Sequence, residues 1–425
     1  MKSVVGLVLL LMQVGVQAQS LRSVAKWPVL LPLNRPARVP FDQPYSSALL
    51  RLPPGQPLDG IYLVADGDTI TLRPEPHSDS NTVSGLCVFR QPVRAVTLLS
   101  TQLTYLSAEL ITLYAPPLPA DYVAAQVRAA RAGATDCDKP AVVPVLVWRK
   151  GLAPPKEPPT PNKVQFVIVH HSATSNTATN YLDEVRNIYL QHTTVNGWND
   201  VGYNFLLGRD GVVYEGRDGQ GVLDGDNVLG AHFCSTNTGT MGICMLGNYN
   251  DVQPSDTALA AVNQLIGWKL RKEGLEPVGQ ALHASSAKVL NRISGHRDGV
   301  CATECPGNNL YARLGAMRQS VGQLCSFTSV VGVTPLATEP TADWLVYPNP
   351  ADGPITVQHQ TTTPKQVRFD WLDGQGRSWA GRASQLTASS WRIELPVGGR
   401  QPFWLLRCTD GQQQVVRKVM RTDTD

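Results

Sequence analysis

The sequence predicts a multidomain chain. A central α/β domain, with a mixed β-sheet flanked by helices, is expected between an N-terminal β-sandwich-like domain and a C-terminal immunoglobulin-like all-β domain. Three observations predict this layout. Between residues 164 and 326, strand-like apolar runs alternate with stretches of helical periodicity. On either side the apolar runs are short and separated by turn signals, as in all-β structure. A proline-rich segment at 150–163 and a Ser/Thr/Val/Pro-rich segment at 327–342 mark the joints. The length of 425 residues suits two to four domains. With 42% hydrophobic and 17% charged residues, a packed core is available and global disorder is excluded. A net charge of +3 is too close to neutral for a nucleic-acid-binding protein.

The N-terminus sets the expected compartment. Lys2, an apolar run from Val4 to Met12, and small or polar residues to Val16-Gln17-Ala18 have the layout of a secretory signal over residues 1–18. The run is well short of the roughly 20 residues that span a bilayer. The expectation is an exported chain with no transmembrane span. Residues 19–149 read as β-rich, with Ile61-Tyr62-Leu63-Val64, Val88-Phe89 and Leu106 to Tyr114 as strands, and Ala65-Asp66-Gly67-Asp68 as a turn. Residues 121–132 are Ala-rich and suit a helix. Cys87 and Cys137 are candidates for a disulfide, although sequence does not determine connectivity. Five prolines between Lys150 and Lys163 predict an extended, semi-rigid linker.

In the central domain, Val164 to Val169 is apolar except for Gln165, which suits a strand buried on both faces. Residues 179–192 place Leu182, Val185, Ile188 and Tyr189 at helical spacing. Two strands bracket the turn at Arg209-Asp210-Gly211, and Met241 to Leu246 is another strand. A helix starts after Ser255, an N-cap residue, carries Leu259, Val262, Ile266 and Leu270 on one face, and stops at Gly274. Leu310, Leu314, Met317, Val321 and Leu324 mark a last helix. Residues 343–425 alternate as a small all-β domain, with strands at Pro354–Gln358, Val367–Trp371, Trp391–Leu395, Phe403–Arg407 and Val415–Val419.

Three features of the central domain point to one metal. They are His170-His171 at the end of the buried strand, Gly295-His296-Arg297-Asp298, and Cys305, nine residues after His296. Two imidazoles and a thiolate suit Zn²⁺, a borderline-soft ion with tetrahedral preference. Three protein ligands leave the fourth position to water, the arrangement of a hydrolytic site. Taken singly, each feature has an ordinary alternative. A histidine at a strand end can be a hydrogen-bonded core residue, and a cysteine in an exported chain can be half of a disulfide.

Several further motifs carry a resemblance. They are Val167-Ile168-Val169-His170-His171-Ser172-Ala173-Thr174, Gly202-Tyr203-Asn204-Phe205, and Arg209-Asp210-Gly211-Val212-Val213-Tyr214-Glu215-Gly216-Arg217. Gly230-Ala231-His232, Met241-Gly242-Ile243 and Cys305-Pro306-Gly307 follow in order. This stretch, about 160 residues, resembles the type 2 N-acetylmuramoyl-L-alanine amidase family, which includes the animal peptidoglycan recognition proteins. The resemblance implies a mixed sheet with zinc at the floor of a groove. It implies that His170, His296 and Cys305 hold one Zn²⁺ per chain, that Tyr203 helps orient the zinc-bound water or the scissile carbonyl, and that Thr303 offers a hydrogen bond to the developing oxyanion. His171 and His232 would line the substrate groove. The implied reaction is hydrolysis of the amide joining the lactyl group of N-acetylmuramic acid to L-alanine of a peptidoglycan stem peptide. The alternative is a module that binds peptidoglycan or muropeptides without cutting them.

Three departures from the family pattern stand out. The usual His-to-Cys spacing is eight and here it is nine, through Gly299-Val300-Cys301-Ala302, so a bulge is expected before Thr303. Some bacterial members carry a catalytic Glu where this chain has Cys244. A Gly-Trp that touches the stem peptide in relatives is replaced by Asp218-Gly219. Cys234 and Cys301 both fall in loops near the expected site and are candidates to pair. In the last domain, Val346-Tyr347-Pro348-Asn349-Pro350, with Phe403-Trp404-Leu405-Leu406-Arg407 and Val416-Arg417-Lys418-Val419, resembles a type IX secretion sorting domain. That resemblance implies the type IX machinery as a partner and passage across the outer membrane.

Overall fold

The computed structural model describes residues 21–32, 35–75, 82–102, 106–131 and 137–325, and, further on, 344–349, 351, 353–359, 367–372, 378–396, 403–410 and 413–420. The expected signal segment 1–18 and the expected linker 327–342 lie outside the described residues. The chain divides into two compact units, Met1–Phe327 and Thr328–Asp425.

The first unit opens with six strands: β1 (Val24–Leu31), β2 (Ala37–Arg51), β3 (Ile61–Ala65), β4 (Asp68–Thr71), β5 (Cys87–Ser100) and β6 (Leu106–Leu113). They form one antiparallel sheet in the order β1-β6-β2-β5-β3-β4 rather than the two facing sheets of the expected sandwich. The reason lies in β2 and β5, which are 15 and 14 residues long and pair with register shifts around Tyr45. Such irregularities bend a strand and raise its twist. One face buries Ala48, Leu50, Ile61, Leu63, Phe89, Leu98 and Leu110.

The opposite face is buried too. Leu49, Val88, Ile111 and Leu113 share a core with Trp148, Leu182, Val185, Ile188 and Tyr189 of the central domain. Strand alternation sends neighbouring residues to different cores, which is why Ala48-Leu49-Leu50 is continuously apolar. After α1 (Ala120–Arg131), β7 (Val142–Val143) pairs parallel with a strand of the central sheet, and α2 (Val145–Trp148) follows. Residues 142–148, on the N-terminal side of the expected boundary at 149, thus pack with the central sheet, and the two β-containing regions form one compact body. The proline-rich segment is not a free spacer either. Leu229 N–H donates to the Thr160 carbonyl (2.8 Å), Asn162 N–H to that of Asn227 (2.8 Å), and Pro161 bridges Val228.

The central strands are β8 (Phe166–His171), β9 (Phe205–Leu207), β10 (Val213–Glu215), β11 (Thr240–Met245) and, beyond the hairpin β12 (Gln280–His283)–β13 (Lys288–Asn291), β14 (Ile293–Gly295). The sheet order is β14-β8-β11-β9-β10-β7, with β14, β8, β11 and β9 parallel and β10 antiparallel to β9. On one side lie α4 (Asp256–Glu273), α5 (Asn308–Tyr311) and α6 (Leu314–Leu324), packed through Val262, Leu265, Ile266, Leu270, Leu310 and Val321. On the other lies α3 (Tyr181–Leu190). Ser255 caps α4 by accepting from Ala258 N–H, and Gly274 ends it at φ +67°, as expected. A disulfide joins Cys137 to Cys325 at the end of α6. The Cys87–Cys137 pairing raised as a candidate is not formed, since Cys87 is a buried free thiol in the N-terminal sheet. No helix among the described residues is long and apolar enough to cross a membrane.

One buried carboxyl adds a pH dependence. Burial raises Glu184 of α3 from 4.5 to about 7, against the lowering effect of the Thr174 hydroxyl, Arg209 and Ser172. The folded state therefore holds a proton that the unfolded state has lost, and stability falls as pH rises from about 4.5 to 7. Glu184→Gln is expected to flatten that slope in thermal melts and to raise the melting temperature at pH 8 relative to the parent.

The second unit is all-β. Its strands are β15 (Trp344–Tyr347), β16 (Ile355–His359), β17 (Val367–Leu372), β18 (Ser378–Ala380), β19 (Ala383–Thr387), β20 (Ser390–Ile393), β21 (Phe403–Asp410) and β22 (Gln413–Met420). They form two four-stranded sheets, β15-β16-β20-β19 and β18-β17-β21-β22, around Trp344, Phe369, Trp371, Trp391 and Trp404.

Candidate metal centre

The site grows from the alternation of β8. Phe166, Ile168 and His170 share one face, while Val167, Val169 and His171 take the other. His170 is thereby set beside His296, which follows β14, the parallel neighbour of β8. Their ring centroids are 4.6 Å apart. Cys305 completes the group, with its Sγ 3.6 Å from His170 Nδ1. The donor atoms of His170, His296 and Cys305 all lie within 4.8 Å of one another, and all three residues are buried. The expected ligand set is thus brought together in space.

Protonation of His170 follows from a chain of hydrogen bonds. The Thr240 hydroxyl donates to the Asn237 carbonyl (2.7 Å), so its oxygen accepts from His232 Nε2–H (3.2 Å). His232 Nδ1 then accepts from His170 Nε2–H (3.0 Å). That leaves His170 Nδ1 as the lone-pair nitrogen, turned toward Cys305. Partners of this kind fix a ligand's tautomer and orientation. His232 was expected to line a groove, but at 1% exposure it lies beneath His170. Asn237 Oδ1 holds it there by accepting from the backbone N–H of His232 and Phe233. We expect His232→Phe to weaken metal retention by about 10–100-fold, the usual cost of losing such a partner. Chelator competition measures this directly.

His171 was also expected in the groove, and it too is buried, at 2% exposure. Alternation sends its ring the other way, where Nδ1 accepts from Tyr249 N–H (3.2 Å). Its backbone does serve the site, because His171 N–H donates to Cys305 Sγ (3.4 Å). Burial pushes the Cys305 thiol strongly up, and this N–H works in the opposite direction. A buried thiolate needs a neighbouring positive charge, so the pocket suits a cation.

Tyr203 stands just before β9 with its ring 5.3 Å from that of His170. Burial first, then Cys244, Cys305 and Glu75, raise its phenol well above 10, so it remains an O–H donor at neutral pH. Thr303 accepts Cys305 N–H on its hydroxyl (3.1 Å), which folds the loop back toward the ligand. The loop is tied down at Gly299 and Cys301. Lys288 Nζ donates to the carbonyls of Asp298 and Gly299, and a disulfide joins Cys301 to Cys234, the pairing raised from the sequence. Asp218 is turned inward. It forms a buried ion pair with Arg149 (2.6 Å), and its N–H donates to Asp200 (2.8 Å).

One residue was missed. Glu75, from the N-terminal region, is buried, and its charge is felt by Tyr203, Cys244 and Cys305. The segment that carries it is tied to the central domain by Arg73–Asp251 (2.8 Å) and by Gly85, where an added Cβ would lie 2.9 Å from the Ala173 carbonyl oxygen. No local motif in the sequence signals it, since the approach depends on how the two regions dock.

The family model described as N-acetylmuramoyl-L-alanine amidase matches residues 160–308. Peptidoglycan-recognition protein SC2 of Drosophila melanogaster is 36% identical over 152 residues, covering 35% of this chain and 72% of that protein. The chain belongs to the peptidoglycan recognition protein and type 2 amidase family. Peptidoglycan recognition protein 1 of Bos taurus is 38% identical over 151 residues, 35% of this chain and 69% of that one. Among solved structures, wild-type Drosophila PGRP-LB aligns with a TM-score of 0.33 and 29% identity, covering 41% of this chain and 91% of that chain. The family match takes in β8 to β14 with α3 and α4, and leaves outside it β7, α6, the β-rich N-terminal strands and the second unit.

Proposed function

We propose that the chain is a zinc-dependent N-acetylmuramoyl-L-alanine amidase, acting on the amide between the lactyl group of N-acetylmuramic acid and L-alanine of peptidoglycan stem peptides. The observation that carries this reading is the buried N,N,S donor set of His170, His296 and Cys305, with His170 Nδ1 left unprotonated by the His232–Thr240 chain.

These donors fit one Zn²⁺ in type and number. When bound, the ion supplies Lewis-acid polarisation of the carbonyl and lowers the pKa of water. The remaining work belongs to the chain. His232 keeps His170 in its ligating tautomer. His171 N–H favours the thiolate form of Cys305. Tyr203 donates its phenolic proton in a hydrogen bond to the oxygen that gains charge as the carbonyl becomes tetrahedral. Thr303 offers a second hydroxyl on the opposite loop. Glu75 adds negative charge beside a site that gathers positive charge. Asp218, held by Arg149, takes no part in reading the stem peptide.

The test is mass spectrometry of peptidoglycan treated with the full-length chain, with and without a chelator. Stem peptides beginning with L-alanine, lost on chelation and restored by zinc, are expected. Intact muropeptides with one zinc bound per chain would make the protein a recognition module instead.

We also propose that the chain is exported through its N-terminal signal and that residues 343–425 address it to type IX secretion. Support comes from the Val346–Pro350 motif, the small two-sheet fold and two disulfides suited to an oxidising compartment. Deleting residues 343–425 should trap the protein in the periplasm, as cell fractionation would detect.

A further inference from the structure

Beside the centre described above lies a second set of metal-type donors. Cys234 Sγ and Cys301 Sγ stand 3.0 and 3.4 Å from His296 Nε2, and the three donor atoms lie within 4.8 Å of one another. The two sulfurs are joined as a disulfide, and both cysteines are partly exposed, whereas His170 and Cys305 are buried. The surroundings favour a change of state here. Cys234 and Ser235 hold φ values of 49° and 61°, a left-handed conformation that side chains other than glycine adopt at a cost. Cys301 sits in the inserted loop, next to Val300, which is 50% exposed. Phe233 supplies an apolar wall, with its ring centroid 6.1 Å from that of His296.

We propose that Cys234, Cys301 and His296 form a second metal site, for a thiophilic divalent cation, that opens when the disulfide is reduced. A dithiol reductant passes two electrons and two protons to the S–S bond and becomes a disulfide itself, leaving two thiols. A divalent cation then takes both sulfurs as thiolates, releasing the two protons to buffer, with His296 Nε2 as the third donor. One imidazole and two thiolates are a donor set selective for soft and borderline ions. Because His296 belongs to both sets, a cation on the thiolates draws this ring away from His170 and Cys305. Reduction in the presence of such a cation then disables the first centre without unfolding the chain. The site itself does not depend on the amidase reading.

Co²⁺ is a suitable probe, because thiolate-to-cobalt charge-transfer absorbance counts sulfur ligands. The full-length chain, stripped of metal, is titrated with Co²⁺ before and after treatment with a phosphine reductant that itself carries no thiol. The oxidised chain should show the band of one thiolate, Cys305, and the reduced chain about twice that intensity, from Cys234 and Cys301 once His296 has left the first set. A Cys234→Ser/Cys301→Ser variant keeps the Cys137–Cys325 disulfide and should show no gain on reduction. An unchanged spectrum in the reduced parent, or the same gain in the double variant, overturns the proposal. Loss of the Cys305 band in the oxidised chain, with the gain on reduction intact, would count against the amidase reading and leave this site standing. Far-UV circular dichroism after reduction separates metal capture from unfolding.

Discussion

Replacing Cys305 by alanine should abolish both stoichiometric zinc binding and release of stem peptides, while leaving the fold in place. Cys305 supplies the sulfur of the donor set and its negative charge, and no other described thiol replaces it there. Cys244 is buried in β11, where burial and the Cys305 charge raise its thiol well above 9, so it resists taking over as a thiolate. Removing one sulfur from a packed loop leaves a small cavity, whose cost is of the order of 1–2 kcal/mol. Metal analysis should therefore fall from one zinc per chain to none, with a far-UV spectrum like the parent's. If the variant retains a full equivalent of zinc, the ion does not sit at His170, His296 and Cys305, and the assignment of the centre fails.

Tyr203→Phe tests a different link. The substitution keeps the ring against His170 and removes only the hydroxyl. Loss of one donor to a developing oxyanion costs about 10²–10³ in kcat, or about 3 kcal/mol. We expect a fall of that size, with KM and zinc content close to the parent's. A parallel loss of zinc would show that Tyr203 acts through the architecture of the centre. Equal kcat in the two proteins would remove it from the chemistry altogether. Because the phenol is held protonated well above neutral pH, its own titration should not appear in the rate profile between pH 6 and 9.

The candidate ligands were legible in the sequence chiefly through the family resemblance, since spacing alone left an ordinary alternative for each. His170 ends an apolar strand, and a residue at the end of a buried strand stands at the edge of a core. His296 and Cys305 flank a short loop, and loops between ligands are where metal sites assemble. The helix α4 was legible to its caps, because Ser255 and Gly274 act through local geometry alone. The N-terminal region was less legible. Its strands were placed, but the irregular pairing of β2 with β5 yields a single sheet where two had been expected.

Other placements depended on segments distant in the chain. His171 and His232 were given to the groove by the family resemblance. The structure buries both, and gives one of them the task of orienting His170. Cys87 was raised as a candidate partner for Cys137 with connectivity left open, and the partner lies 188 residues away at the end of α6. Residues 142–148 were given to the N-terminal domain, although β7 pairs with the central sheet.

Read alone, the sequence determined the family, the donor types and which strands and helices carry them, because these depend on residue identity at short separations. Tertiary structure alone decided which nitrogen of His170 faces Cys305, that Glu75 stands near Tyr203, and that Asp218 turns inward to Arg149. Each of those outcomes depends on hydrogen bonds or charges between segments far apart in the chain. Glu75 in particular reaches the centre only because one face of the N-terminal sheet packs against the central domain.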